Sequence, residues 1–161
     1  MEMVKRKLLP RGWMKRNENA ESGQALIELA LSLSLMLLLM LGAVEFGHVA
    51  YAAIEVSNAA AAGSAYGSQA SGYAGDTQGI ANAAQNDANF SGLTSFTATS
   101  FYTCSCSDGT ASTCTIGDCP NSHIEVSVTV NTSASFKPLV HVPGLPSTIT
   151  LRGQSIRKCG Q

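Results

Sequence analysis

From Leu29 to Val44 the chain carries no charged residue, and from Ala25 to Val44 it carries one, Glu28. Those 20 residues would make roughly 30 Å of helix at about 1.5 Å per residue, enough to cross a bilayer core. Beyond Val44 the block of apolar residues becomes a stripe. Phe46, Val49, Ala53, Val56, Ala60 and Gly67 recur at helical spacing, which predicts that the helix continues to about Ser68 with one face built of small residues. Glu55 and Asn58 fall off that face. The Ser-, Gly- and Ala-rich stretch from Ser68 to Gly79 ends the helix. Asp76 or Thr77 can then cap a second helix, Gln78 to about Asn89, with Ile80, Ala83 and Ala84 inward.

After these helices the period changes to two. Leu93 to Tyr102, with Phe96, Ala98 and Phe101, reads as a first strand. From His123 to Asn131 the residues Ile124, Val126, Val128 and Val130 alternate with Glu125, Ser127, Thr129 and Asn131, so one face is buried and one wet. A Pro-rich connection runs from Phe136-Lys137-Pro138-Leu139 to Pro143-Gly144-Leu145-Pro146. Ser147 to Arg157 is a third strand, with Ile149 and Leu151 in phase. The expected fold class is α+β: a long N-terminal membrane-spanning helix with a small antiparallel sheet packed on its exported half. With 161 residues there is room for one modest domain beyond the membrane segment.

Net charge is -1, so no nucleic-acid surface is implied. The distribution of charge says more. Lys5, Arg6, Lys7, Arg11, Lys15 and Arg16 all precede the apolar run, and the next basic residue is Lys137. By the positive-inside rule the N-terminus stays cytoplasmic and the C-terminal part is exported. The expected organisation is a basic cytoplasmic leader (1–23), the transmembrane part of the helix (24–46) and an exported domain (47–161), held by a single pass in the inner membrane. The leader shows no helical stripe and is set aside from the mature fold.

Glu28 is the anomaly in the span. A carboxylate in hydrocarbon costs roughly 2.5–3.5 kcal/mol on insertion scales, although about one turn from the edge it can snorkel. Five residues earlier stands Gly23. A cut after Gly23 makes Gln24 the first mature residue and Glu28 the fifth. Basic leader, small residue at the cut, fifth-position acid and membrane helix together resemble a prepilin. Within the pilin-like proteins, Gly23-Gln24-Ala25-Leu26-Ile27-Glu28, the Leu/Met run, Gly42-Ala43-Val44-Glu45-Phe46-Gly47, Asn58-Ala59-Ala60, Gly63 and Tyr66-Gly67 resemble the TadE-like family of tight-adherence (Flp-type) pilus systems. The resemblance covers residues 22–67. Leu29 stands where the family often has an aromatic, His48 where an arginine is common, and Ala61, Ala62 and Ala65 at positions often charged. Some members carry a connection similar to Pro143-Gly144-Leu145-Pro146.

The resemblance implies a pseudopilin-like assembly protein, with Gly23 and Gln24 as processing residues and Glu28 as an assembly residue. Its implied partners are the membrane, an aspartyl prepilin peptidase, an inner-membrane assembly platform, pilin subunits and further copies through the N-terminal helix. Two other fates of the N-terminus compete with pilin-type processing. The segment can remain an uncleaved anchor, or Ala50-Tyr51-Ala52 can serve as a signal-peptidase site.

The five cysteines are Cys104, Cys106, Cys114, Cys119 and Cys159. Their spacing is not that of a zinc knuckle, and an exported domain favours oxidation. Cys104, Cys106, Cys114 and Cys119 are expected to staple a loop between the first two strands. Any four cysteines allow three pairings. The expectation is a nested ladder, Cys104–Cys119 and Cys106–Cys114, leaving Cys159 spare and available to pair between subunits. Glu45 and His48, one turn apart at the membrane exit, read as an interfacial polar pair. No GxSxG, HExxH or phosphate-binding glycine loop occurs, and the histidines His48, His123 and His141 are dispersed. No catalytic residue, metal site or cofactor is expected. The competing function class is an exported binding or adhesion domain on a signal anchor.

Overall fold

The computed structural model describes residues 18–88, 92–140 and 146–159, with side chains from Gly23 onward. Residues 1–17 of the leader, the expected helix end at Asn89, and residues 141–145 with His141 lie outside the described residues. The chain divides into two compact units, Met1–Leu41 and Gly42–Gln161. It has a long apolar helix followed by a small antiparallel sheet, an α+β protein.

Helix α1 runs Glu18–Gly67 without interruption. Nothing in the sequence stops it, since no proline falls between Pro10 and Pro120 and alanine and leucine dominate. It begins earlier than expected, because the end of the leader is helical as well. In the first unit the apolar side chains from Leu26 to Leu41 are covered by no protein, each being at least half exposed. Ser32 and Ser34 turn their hydroxyls back to the carbonyls of Leu29 and Ala30, at 3.0 and 2.8 Å, so neither leaves an unpaired donor among the leucines.

In the second unit the same helix carries a buried row of Ala52, Val56, Ala59, Ala60, Gly63, Ser64 and Gly67. This corrects the expected face at one end. Phe46 is 76% exposed, because the sheet reaches only to the level of Val49 and Ala52, where Phe136 and Ile149 end their strands. A short 3-10 turn, Ser71–Tyr73, leads to α2, Thr77–Asp87. Asp76 caps α2 by accepting from Gly79 N at 2.9 Å, which satisfies one of the free donors at a helix start.

The strands are β1 Leu93–Cys106, β2 Ala111–Ser112, β3 Ile124–Phe136 and β4 Ile149–Lys158. They form one antiparallel sheet in the order β2-β1-β3-β4. Four strands stand where three were expected, and β1 runs on past Tyr102 through Cys106. Long-range pairing extends it, for Cys104 lies opposite Val126 and Cys106 opposite Ile124. Val128, Val130, Thr132, Ala134 and Phe136 alternate inward and are buried, but Thr129, on the face expected to be wet, is buried as well at 5% exposure.

Two clusters make the core. Ala52 and Val56 meet Ala134, Phe136 and Leu151, while Ile80 and Ala74 meet Val128 and Val130. Each fully buried Val or Ile contributes about 1.5–3 kcal/mol. Small residues let the helix backbone lie almost on the sheet. A Cβ on Gly153 would stand 2.6 Å from the Val56 carbonyl oxygen, and the Thr132 hydroxyl donates to that same oxygen at 2.7 Å.

Candidate functional site

The expected processing and assembly residues all lie in the first unit. Gly23, Gln24 and Glu28 are on α1 and exposed. Nothing approaches within 4 Å of the place a Cβ on Gly23 would occupy. Gln24 and Glu28 are four residues apart and share a helix face. Among the described residues no side chain forms an ion pair with Glu28. The carboxylate stands on a helix whose neighbouring side chains, Leu26, Ile27, Leu29 and Leu31, are uncovered apolar groups.

At the other end of the apolar run, Glu45 has a role that the sequence did not announce. Its Oε1 accepts a hydrogen bond from Leu139 N at 2.9 Å, tying the start of the β3–β4 connection to the helix. The expected Glu45–His48 pair is not among the ion pairs of the described residues. The carboxylate reaches a backbone donor far away in sequence instead, as an amide that has left the strand ladder needs an acceptor of its own. Nor does any cluster of three or more metal-ligating side chains occur among the described residues.

Further along α1, Tyr66 and Asp76 clasp the helix end to the cap of α2. The phenol donates to Asp76 Oδ2 at 2.9 Å, and Tyr66 stacks edge-on to Tyr73 at 5.4 Å. The Asp76 carboxyl is held below its usual range, first by the Gly79 N–H and then by the Tyr66 hydroxyl.

The cysteine loop is stapled, but with a different pairing from the nested ladder. Bridges join Cys104 to Cys114 and Cys106 to Cys119, so the two links cross in sequence. The reason is register. The turn at Asp108-Gly109 sets Cys104 opposite Ser112, and Cys114 therefore returns level with the strand beyond Cys104, away from Cys106. Asp108 Oδ1 shapes that turn by accepting from Thr110 N and Thr110 Oγ1 at 3.0 and 2.7 Å, and Gly109 adopts φ 88°, open to glycine without strain. Cys114 itself sits at φ 68° and redirects the chain, after which Cys119 returns to Cys106. Asp118 Oδ2 holds this second turn, accepting from Ser112 Oγ, Thr113 N, Thr113 Oγ1 and Thr115 N. The Thr113 hydroxyl foremost, then its N–H and the Ser112 hydroxyl, hold the Asp118 carboxyl below its ordinary range.

Cys159 is free, yet it is not displayed for a partner. Its N–H continues the sheet to Val126 O at 2.8 Å, its thiol lies 3.7 Å from Gly67 O, and it packs on the cluster around Ile80 and Val128. Burial pushes its pKa up, so the thiolate needed for disulfide exchange is disfavoured. Pairing between subunits would require the thiol to leave this packing.

Sequence reasoning missed the Glu45–Leu139 tether and the Asp118 turn. Only a weak signal could have found the second, an acid shortly after a Ser-Thr pair inside a cysteine loop.

Residues 23–65 match the family model described as TadE-like protein. The match begins at Gly23 and lies wholly inside α1. TadE-like proteins are pilus-related structural proteins, and the resemblance read from Gly23, Glu28 and the Gly42–Gly47 segment is the family found. No curated protein matches, and no solved structure matches.

Proposed function

We propose that this chain is a single-pass, membrane-anchored pilin-like protein that takes part in assembling a tight-adherence pilus. The TadE-like match over residues 23–65, wholly within one continuous apolar helix, is the observation that carries the reading. In it, residues 24–46 span the inner membrane, the basic leader lies in the cytoplasm and residues 47–161 are exported. The charge asymmetry supports that orientation, since the leader holds Lys5 to Arg16 and the next cation is Lys137.

A prepilin peptidase removes the leader between Gly23 and Gln24. The site lies within α1, so the helix must open there, and glycine is the residue at which opening costs least. The new α-amino group of Gln24 is largely protonated near neutral pH, since such groups ordinarily titrate at about 7.7–8.0. It can meet Glu28 one turn along the same helix or Glu28 of a neighbouring subunit. The second pairing neutralises the buried carboxylate on assembly and sets axial register, a use for which polar groups in apolar surroundings are sometimes retained. Glu28 is exposed and makes no ion pair among the described residues, which supports this role.

Glu28→Gln separates assembly from targeting. Intact mass should show the same mature chain beginning at Gln24, while co-purification with the assembly platform and the number of surface pili should both fall. Normal pili with unchanged co-purification would reject the role of Glu28. A mature chain beginning at Ala53 would reject pilin-type processing.

A further inference from the structure

The apolar run ends at Val44, and the next residue, Glu45, is the first charge after Glu28. A carboxylate seeks water, so the water–lipid boundary falls in the last turn of the 24–46 span, at about Glu45. Glu45 is also the residue that binds the β3–β4 connection, through Leu139 N at 2.9 Å. A backbone amide hydrogen-bonded to a boundary residue is itself at the boundary. At that level Leu139 is 68% exposed, although the core a few residues earlier takes Phe136 down to 2%. Phe46, next to Glu45 on the helix, is 76% exposed. Lys137 adds an exposed cation and is the first basic residue since Arg16. An exposed leucine and an exposed aromatic ring beside the boundary residue, with an exposed lysine two residues before the leucine, match the chemistry of a headgroup layer: apolar tips enter the acyl boundary and the ammonium meets lipid phosphates.

We propose that residues 137–140, held by the Glu45 carboxylate, are a second membrane-contacting element, which docks on the outer lipid surface through Leu139 and Lys137. The inference rests on the membrane-anchor reading above. It gives the Glu45 hydrogen bond a purpose. A domain joined to the bilayer by one helix is free to tilt, and a second contact removes that freedom and orients the sheet. The occupant is lipid, because the surface lies at the depth where lipid headgroups are and pairs apolar with cationic groups.

Depth-resolved fluorescence quenching tests it. The full chain, with Trp13→Phe removing its single native indole, is placed one copy per nanodisc of phosphatidylcholine and phosphatidylglycerol. Leu139→Trp is compared with Ile116→Trp, at the exposed tip of the disulfide loop, and with Leu35→Trp, in the span. Lipid brominated near the glycerol end of its acyl chains should remove about half the emission of Leu139→Trp, as for a group at the headgroup–acyl boundary, and none from Ile116→Trp. Adding Glu45→Ala should reduce the quenching of Leu139→Trp; unchanged quenching would overturn the tether. Leu139→Trp as unquenched as Ile116→Trp, with Leu35→Trp quenched, overturns the docking while the anchor stands. Blue-shifted but unquenched emission overturns it too, by placing the side chain against the protein's own apolar groups instead of lipid. Leu35→Trp left unquenched by lipid brominated near the ends of its acyl chains, the depth of the middle of the span, overturns the anchor and the docking together.

Discussion

At the scale of single residues, the most heavily used side chain is the Asp118 carboxylate, and its chemistry sets a pH dependence. Asp118, Asp76 and Asp108 all titrate below their ordinary range in the folded protein. In the unfolded chain they return to about 3.9. The stability they contribute is therefore fully present above that value and is lost as pH falls through the lower folded values. The thermal midpoint of the nanodisc-held protein, followed by near-UV circular dichroism, should hold steady from neutral pH to about pH 5 and fall steeply below about pH 4. Asp118→Asn should flatten that acid limb. An acid limb as steep as in the unaltered protein would show that Asp118 does not contribute to it.

Gly153 gives a second test at this scale. Its missing Cβ leaves room for the Val56 carbonyl and the Thr132 hydroxyl, which a methyl group would meet at 2.6 and 2.7 Å. Gly153→Ala should destabilise the C-terminal unit by about 1–3 kcal/mol, as overpacking does. The same melting experiment reads it as a lowered midpoint, and an unchanged midpoint would mean that the helix can move off the sheet. Neither residue stood out in the sequence. Asp118 reads as one loop acid among several until Cys114 turns the chain and lays Ser112 and Thr113 against it. A glycine in a strand pattern marks a close approach but does not name what approaches.

At the scale of elements, local pattern predicted much of the result. The helices and the three main strands fall close to where periodicity put them, and of the two candidate caps of α2, Asp76 and Thr77, it is Asp76 that caps. What periodicity missed was made by contact between distant segments. β1 gains its last four residues from pairing with β3, and β2 exists only because the Asp108-Gly109 turn folds Ser112 back on Cys104. The disulfide pairing follows from that turn. The crossed pattern predicts that Cys104→Ser frees Cys114. Alkylation without reductant, followed by cleavage before aspartates, should add a label on the fragment from Asp108 to Gly117 to the one that the free Cys159 carries in any case. Label on Cys119 instead would restore the nested ladder. Each bridge closes a loop of modest length, with sequence separations of 10 and 13, and should stabilise the unit by about 2–3 kcal/mol on loop-closure grounds.

For the whole molecule, the governing feature is the asymmetry between a first unit whose described helical side chains no protein covers and a second unit with its own core. Alkaline phosphatase fused after Gln161 should be active and a cytoplasmic reporter fused there silent; the opposite result would reject the proposed topology. Composition and order along the chain were enough to determine the apolar span, the lone acid within it, the small-residue face that continues it and the alternation of β3. These are periodic or compositional features, each set by a chain's local geometry and by its preference for water or hydrocarbon. The tertiary structure alone decided where that face ends, which cysteines meet, that Cys159 turns inward, and that Glu45 holds Leu139. Each of those depends on the register between segments far apart in sequence. Register is chosen by the summed packing and hydrogen bonding of the assembled sheet, which no single stretch of the chain contains.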